Sequence, residues 1–229
     1  MKDEILSYRE MCNRIHVNTI QKGMNFHLKK DLSVILMSVR PGAPYSDEMD
    51  HRRNVLIYEG HNVPKSRSIP DPKKVDQPRL TDKGTLTENG KFVKAVENQK
   101  AGLIQSERII VFEKLNSGVW CEKGLFLLTD YKFQNSDGRN VFKFILTPID
   151  ESVEISEGRD EDEHSRLIPT QIKVAVYRRD KGKCVLCGST KNLHYDHDFP
   201  FSKGGSSITE KNIRILCAKC NLTKHDKIE

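Results

Sequence analysis

The chain has 229 residues, of which 31% are charged and 36% hydrophobic, and its net charge at neutral pH is +6. No apolar run approaches the roughly 18 residues of a membrane span, so a helical membrane protein is excluded, and the length suits one or two domains. The opening MKDEILSYREM lacks a signal-peptide core, which makes a cytoplasmic location the expectation. Charge is unevenly spread: residues 1–150 carry 24 basic against 19 acidic side chains, 151–163 one against seven, and 164–229 thirteen against six. Two basic bodies joined by an acidic strap suit two domains that face nucleic acid, although mild basicity by itself is also ordinary for solubility.

Residues 1–30 read as one or two helical segments, because Ile5, Tyr8, Met11 and Cys12 recur at helical spacing until Gly23 breaks the pattern. From Leu32 onward the pattern turns to short β-runs. The predicted strands are Ser33–Val39, Asn54–Tyr58, Ile109–Lys114, Leu125–Thr129 and Val141–Leu146, each bounded by Gly, Pro, Asn or Asp. Helical periodicity returns over Leu86–Lys100, where Phe92, Val93 and Val96 share a face. The expected architecture is a compact β-barrel or strongly bent sheet with one or two helices.

Within this region stand Tyr45-Ser46-Asp47-Glu48-Met49-Asp50-His51, then Tyr58-Glu59-Gly60, then Asp76-Gln77 ahead of Leu80-Thr81. Further on come Gly124-Leu125-Phe126 and Val141-Phe142-Lys143-Phe144. In this order the segments resemble the SET- and RING-associated (SRA) domain over most of residues 32–147. The resemblance implies a PUA-like barrel that flips 5-methylcytosine or 5-hydroxymethylcytosine out of duplex DNA and sandwiches it between two aromatic rings. It also implies an acidic side chain that reads the exocyclic amine. Carried over by position, Tyr45 and Tyr58 are the rings and Glu48 is the acid. Glu48 departs from the family's aspartate and Asp47 stands next to it, so the identity of the modified base stays open. Extruding a base costs a few kcal/mol, which stacking at about 1–3 kcal/mol per base and hydrogen bonds must offset. Packing of a barrel rim is the alternative for both tyrosines.

The following loop, residues 61–74, holds three prolines between Pro64 and Pro72 and is stiff and irregular. Its Lys65 and Arg67 suit phosphate contacts or insertion into a DNA groove, and a solvated surface loop is the plainer alternative. Residues 151–163, ESVEISEGRDEDE, cannot bury a core and read as an extended linker. A helix is predicted from Pro169 to about Asp180.

The last stretch is the most informative. Cys184/Cys187 and Cys217/Cys220 form two C-x-x-C pairs, the spacing of a tetrahedral thiolate zinc site. Cys12 and Cys121 read as lone thiols. Between the pairs lie Tyr195-Asp196-His197-Asp198-Phe199-Pro200, then Ser202-Lys203-Gly204-Gly205, then Asn212-Ile213, and Asn221 follows Cys220. This run resembles the HNH nucleases, in particular their cysteine-stapled branch with the ββα-metal fold. The resemblance implies that His197 is the general base, that Asn212 braces the loop carrying it, and that Asp196 and Asn221 help hold a catalytic divalent cation. His225 lies four residues beyond Asn221, so on a helix both project from one face and both are candidate ligands. His194 and Asp198 are expected to play supporting parts. The residue types fit phosphodiester hydrolysis: an imidazole of near-neutral pKa takes a proton from water, and a hard oxygen ligand suits Mg²⁺ or Mn²⁺.

Together these features predict an α+β chain with an SRA-like twisted barrel at 1–150, an acidic linker at 151–163 and an HNH module with a four-cysteine zinc site at 164–229. The expected activity is metal-dependent, modification-dependent cleavage of double-stranded DNA, similar to that of the type IV restriction enzymes. One HNH module cuts one strand, so double-strand cleavage implies a homodimer. The competing expectations are a non-catalytic reader that uses the zinc module as a clamp, and an HNH nuclease whose N-terminal domain reads sequence or RNA.

Overall fold

The structure is a computed structural model, and it describes residues 3–29, 32–40, 42–149, 167–200 and 203–224. The segment read as a linker, residues 151–163, lies outside the described residues, as does His225. In chain order the elements are β1 (Glu4–Ser7), α1 (Tyr8–Arg14), β2 (Met24–Lys29), β3 (Leu32–Met37), β4 (Glu48–Asp50), β5 (Val55–Glu59), α2 (Glu88–Lys100), β6 (Arg108–Asn116), β7 (Val119–Ser136), β8 (Arg139–Pro148), α3 (Thr170–Arg179), β9 (Leu193–His197), β10 (Ile213–Cys217) and α4 (Ala218–Lys224). The fold is α+β and dominated by its sheet, as the sequence predicts.

The first thirty residues differ from the expected helical run. Among the described residues of this stretch only α1 is helical, and Ser7 starts it with a capping box: its Oγ accepts from the Glu10 amide while the Glu10 carboxylate accepts from the Ser7 amide at 2.7 Å. Residues 4–7 are instead a strand, because Ile5 and Leu6 find partners at Cys121 and Trp120 of β7. Those partners lie far away in sequence, so a periodicity window cannot register them. Gly23 ends the pattern for a packing reason: a Cβ there would come within 2.8 Å of Tyr58 Oη.

Among the described residues, the ten strands belong to one sheet. One path runs β10-β9-β1-β7-β6-β3-β2, and a second leaves β7 through β8 and β5 to β4. Every pairing is antiparallel except β3 with β6. β7 serves both paths because it is 18 residues long and bulged: register shifts occur opposite Val111/Phe112, beside Gly124 at φ +92°, and again between Leu128 and Asp130. The predicted strand Leu125–Thr129 is thus only the middle of β7. Strands β2, β3, β5, β6, β7 and β8 face one apolar core, closed by Phe92, Val93 and Val96 of α2, whose spacing marks them in the sequence. Thr87 caps α2 by accepting from the Gly90 amide.

The C-terminal elements pack around a second core, formed by Ile168, Val176, Leu193, Tyr195, Ile213, Ile215 and Leu216 together with Leu115 of β6 and Cys121 of β7, and α3 packs on β10. They are nevertheless continuous with the barrel. β1 pairs with β7 on one edge and with β9 on the other, through Glu4↔His194 and Ile5↔Leu193. Beside this seam lies a buried charged cluster. Lys173 Nζ sits 2.5 Å from Asp3 Oδ1, 3.3 Å from Cys121 Sγ and 3.7 Å from Glu113 Oε2, and Lys123 Nζ lies 3.5 Å from the same Glu113 oxygen. Thr170 Oγ1 donates to Glu113, and Tyr195 Oη donates to the Lys173 carbonyl at 2.8 Å. Burial opposes the charge on Lys173, but Asp3, Cys121 and Glu113 hold its pKa well above the ordinary lysine value; burial pushes the Cys121 thiol up to about 12.

Candidate functional site

The four cysteines converge. The Sγ atoms of Cys184, Cys187, Cys217 and Cys220 all lie within 4.8 Å of one another, and those of Cys187 and Cys217 are 3.6 Å apart. Four thiolates about 2.3 Å from a zinc ion are about 3.8 Å from each other, so this donor set fits Zn²⁺. Local structure explains the convergence: Gly188, at φ +73°, turns the first pair back so that its amide donates to the Cys184 carbonyl, while the second pair spans the step from β10 into α4. Burial raises the Cys184 thiol, but backbone amides of Cys217, Cys187 and Leu186 outweigh it and bring the pKa down to about 6. Among the described residues, this is the cluster of three or more His, Cys, Asp or Glu groups placed to hold a metal.

Asp196 and His197 end β9, opposite Arg214 and Ile213 of β10. His197 Nε2 lies 2.8 Å from Ser207 Oγ, and Ser207 is buried. Asn212 spans the loop beyond the histidine: its Oδ1 accepts from the Phe199 amide, its Nδ2 donates to the carbonyls of Phe199 and Ser206, and its own carbonyl accepts from the Asp198 amide. Asp196 Oδ2 is held by Lys224 Nζ at 2.6 Å and approached by Arg214 Nε at 3.6 Å, while Arg214 Nη1 meets Asp198 at 2.9 Å. Lys224, buried at the end of α4, also donates to the His197 carbonyl. Sequence reasoning missed Ser207 and Lys224. Both are common residue types with no fixed offset from the motif, and only the fold brings them to it. Asn221 lies on α4, in the turn before Lys224.

The second cluster sits at the other arm of the sheet. Glu48 is exposed at the start of β4, whereas Asp47 is turned inward, accepting from the Ser38 amide at 3.0 Å and the Glu59 amide at 3.1 Å. Burial drives the Asp47 carboxyl up to about 7 despite those two bonds. Each of its oxygens accepts from a backbone amide, whereas Glu48 is exposed. Tyr45 is half-buried, but Tyr58 is 1% exposed and belongs to the barrel core. His61, which the sequence reading did not single out, touches both rings. Glu59 is fixed by Arg139 at 3.2 Å and Lys143 at 2.9 Å, and Arg139 also reaches Asn62 at 2.6 Å. Lys65 and Arg67 are exposed on the loop beyond.

Residues 184–227 match the HNH endonuclease family. Among the solved structures similar to the chain are the following three. A modification-dependent TagI restriction endonuclease is 17% identical with a TM-score of 0.44, the match covering 99% of this chain and 78% of that one. The SUVH5 SRA domain in complex with hemimethylated CG DNA is 23% identical with a TM-score of 0.45, over 68% of this chain and 92% of that one. The DNA recognition domain of the cytosine modification-dependent restriction endonuclease LpnPI is 14% identical with a TM-score of 0.37, over 55% and 60%. No curated protein shows significant similarity to the chain. No described helix is long and apolar enough to cross a membrane.

Proposed function

We propose that this protein is a modification-dependent DNA endonuclease: the barrel captures a modified cytosine flipped from duplex DNA, and the HNH module hydrolyses a nearby phosphodiester bond. The observation that carries the reading is the arrangement at His197, within a segment matching the HNH endonucleases, where Asn212 braces the loop and Ser207 orients the ring. His197 takes the proton of the attacking water. Asp196 and Asn221, with His225 four residues further on, offer the oxygen and imidazole donors that a hard cation accepts, and Mg²⁺ keeps enough waters to need few protein ligands. Such a cation, when bound, neutralises charge on the scissile phosphate. Lys224 and Arg214 hold Asp196 in place by one oxygen, leaving Oδ1 for the metal. In the barrel, Tyr45 provides a stacking surface, Tyr58, enclosed in the core in this structure, provides a second once the groups over it move, and Glu48 accepts from the cytosine amine; Lys65 and Arg67 contact phosphates. Double-strand cutting then takes two chains, each contributing one site.

A second reading, a DNA clamp that does not cut, is favoured by the Lys224–Asp196 ion pair, because an ammonium competes with a cation for that carboxylate. One cleavage panel separates the two. Methylated, hydroxymethylated and unmodified duplexes and RNA are incubated with the wild-type chain and with His197→Ala, with and without Mg²⁺ or Mn²⁺. The proposal expects metal-dependent cutting of modified duplex, reduced by about 10²–10⁴ in His197→Ala with binding retained. Binding of modified duplex without any metal-dependent cutting would make the protein a clamp.

A further inference from the structure

The two proposed stacking rings already share a partner. His61 lies at the start of the stiff loop, three residues past Tyr58. Its ring stacks on Tyr45, with centroids 5.5 Å apart and planes inclined by 19°. Toward Tyr58 the centroids are 6.5 Å apart and the planes tilted by 51°, and Tyr58 Oη lies 3.3 Å from His61 Nε2. Gly23 packs against this pair so closely that an added Cβ would stand 2.8 Å from Tyr58 Oη and 3.2 Å from His61 Nε2.

The backbone that carries the imidazole is clamped. The His61 amide donates to Asn89 Oδ1 and its carbonyl accepts from Asn89 Nδ2, both at 2.8 Å. One residue earlier, Gln77 Nε2 donates to the Gly60 carbonyl at 2.6 Å, while Gln77 Oε1 accepts from the Phe142 amide. Asn89 and Gln77 are both fully enclosed, 1% and 2% exposed, so these bonds have no competing water. The ring therefore moves by turning about its own side-chain torsions, not by carrying the loop with it. Burial pushes the imidazole pKa down to about 4, so at neutral pH it is an uncharged flat heterocycle.

We propose that His61 is a placeholder for the modified base: it covers the Tyr45 face and caps the Tyr58 hydroxyl until a flipped base turns it out. The proposal rests on the base-pocket reading and adds to it the residue that sets how hard the pocket is to fill. A base stacked on both tyrosines needs the ring face and the approach that His61 takes. Its displacement lowers the apparent affinity by the fraction of time the pocket is open. That penalty applies to flipped bases only. Duplex held through its phosphates alone does not open the pocket and does not feel it.

Equilibrium binding of the full chain, without added divalent cation so that nothing is cut, tests this on duplexes with one modified cytosine or none. His61→Ala is expected to bind modified duplex about three- to tenfold tighter, tenfold being about 1.4 kcal/mol, and to change unmodified binding less than twofold. His61→Phe keeps a flat ring over Tyr45 and is expected to show no such gain. Should His61→Ala fail to fold, His61→Gln removes the ring while keeping a group that bonds Tyr58, and the same tightening is expected. Unchanged or weaker binding of modified duplex by the ring-less variant overturns the proposal; weaker binding would make His61 a contact to the base. Tyr45→Ala separates the two levels. If it leaves the modified-to-unmodified ratio intact, the base pocket itself is misassigned. If it collapses the ratio while His61→Ala gives no gain, only the placeholder falls.

Discussion

Lys173→Met tests the junction between the barrel and the C-terminal HNH module by removing an ammonium while keeping most of the stem. At an effective dielectric constant of about 20, attraction over the observed 2.5 Å to Asp3 and 3.7 Å to Glu113 amounts to about 7 and about 4 kcal/mol. Methionine also escapes the several kcal/mol that it costs to strip an ammonium of water, and the repulsion from Lys123. The uncompensated Asp3 and Glu113 carboxylates remain, so the net loss expected is that of a broken buried pair, about 3–5 kcal/mol. The single tryptophan, Trp120, lies on β7 opposite Leu6 of β1 and reports this region, so urea unfolding followed by its fluorescence measures the change. In an Asp3→Asn background the same substitution should cost about 1–3 kcal/mol less. A loss under about 1 kcal/mol, or an identical loss in both backgrounds, would refute the account of the cluster as mutually compensating charge.

Two further outcomes follow from the same reasoning. Purified protein should carry about one zinc per chain, and Cys184→Ser should lose it together with the C-terminal core; metal analysis of folded protein showing none would remove the tetrad. Asp47 has a folded pKa of about 7 against an unfolded 3.8, so between those values the folded chain binds more protons than the unfolded one. Its contribution is therefore greatest below about pH 4 and is lost as pH rises through 7. Relative to Asp47→Asn, which does not titrate, the melting temperature of the wild type should fall across this window. A difference between the two proteins that is flat with pH would show that Asp47 is ionised throughout.

The parts legible in the sequence were those whose signal is local. The C-x-x-C pairs announce a tetrahedral site because each pair is a single turn, and Phe92, Val93 and Val96 announce α2 because they repeat along one face. β1 was not legible: four residues, Glu4–Ser7, carry no period of their own, and their partners are more than a hundred residues away. The full length of β7 was hidden because its bulges shift the alternation of inward and outward side chains midway. Tyr45 and Tyr58 look equivalent in sequence, yet one is half-buried and the other belongs to the core. Asp47 and Glu48 are neighbours of like charge, and only the Ser38 and Glu59 amides reveal which of them is already engaged. His61 and Ser207 are single residues without a motif, and only the fold sets them beside a ring or a histidine.

β1 is short, but it is hydrogen-bonded to β7 of the barrel on one edge and to β9, the strand that ends in His197, on the other. A nuclease on a string would sample many phosphates around a captured base. Here the strand carrying His197 is ladder-bonded into the same sheet as the N-terminal strands, like a caliper with a locked jaw. Under the proposed function, the step from modified base to broken bond becomes a molecular length. Cut positions should then gather at one offset instead of spreading.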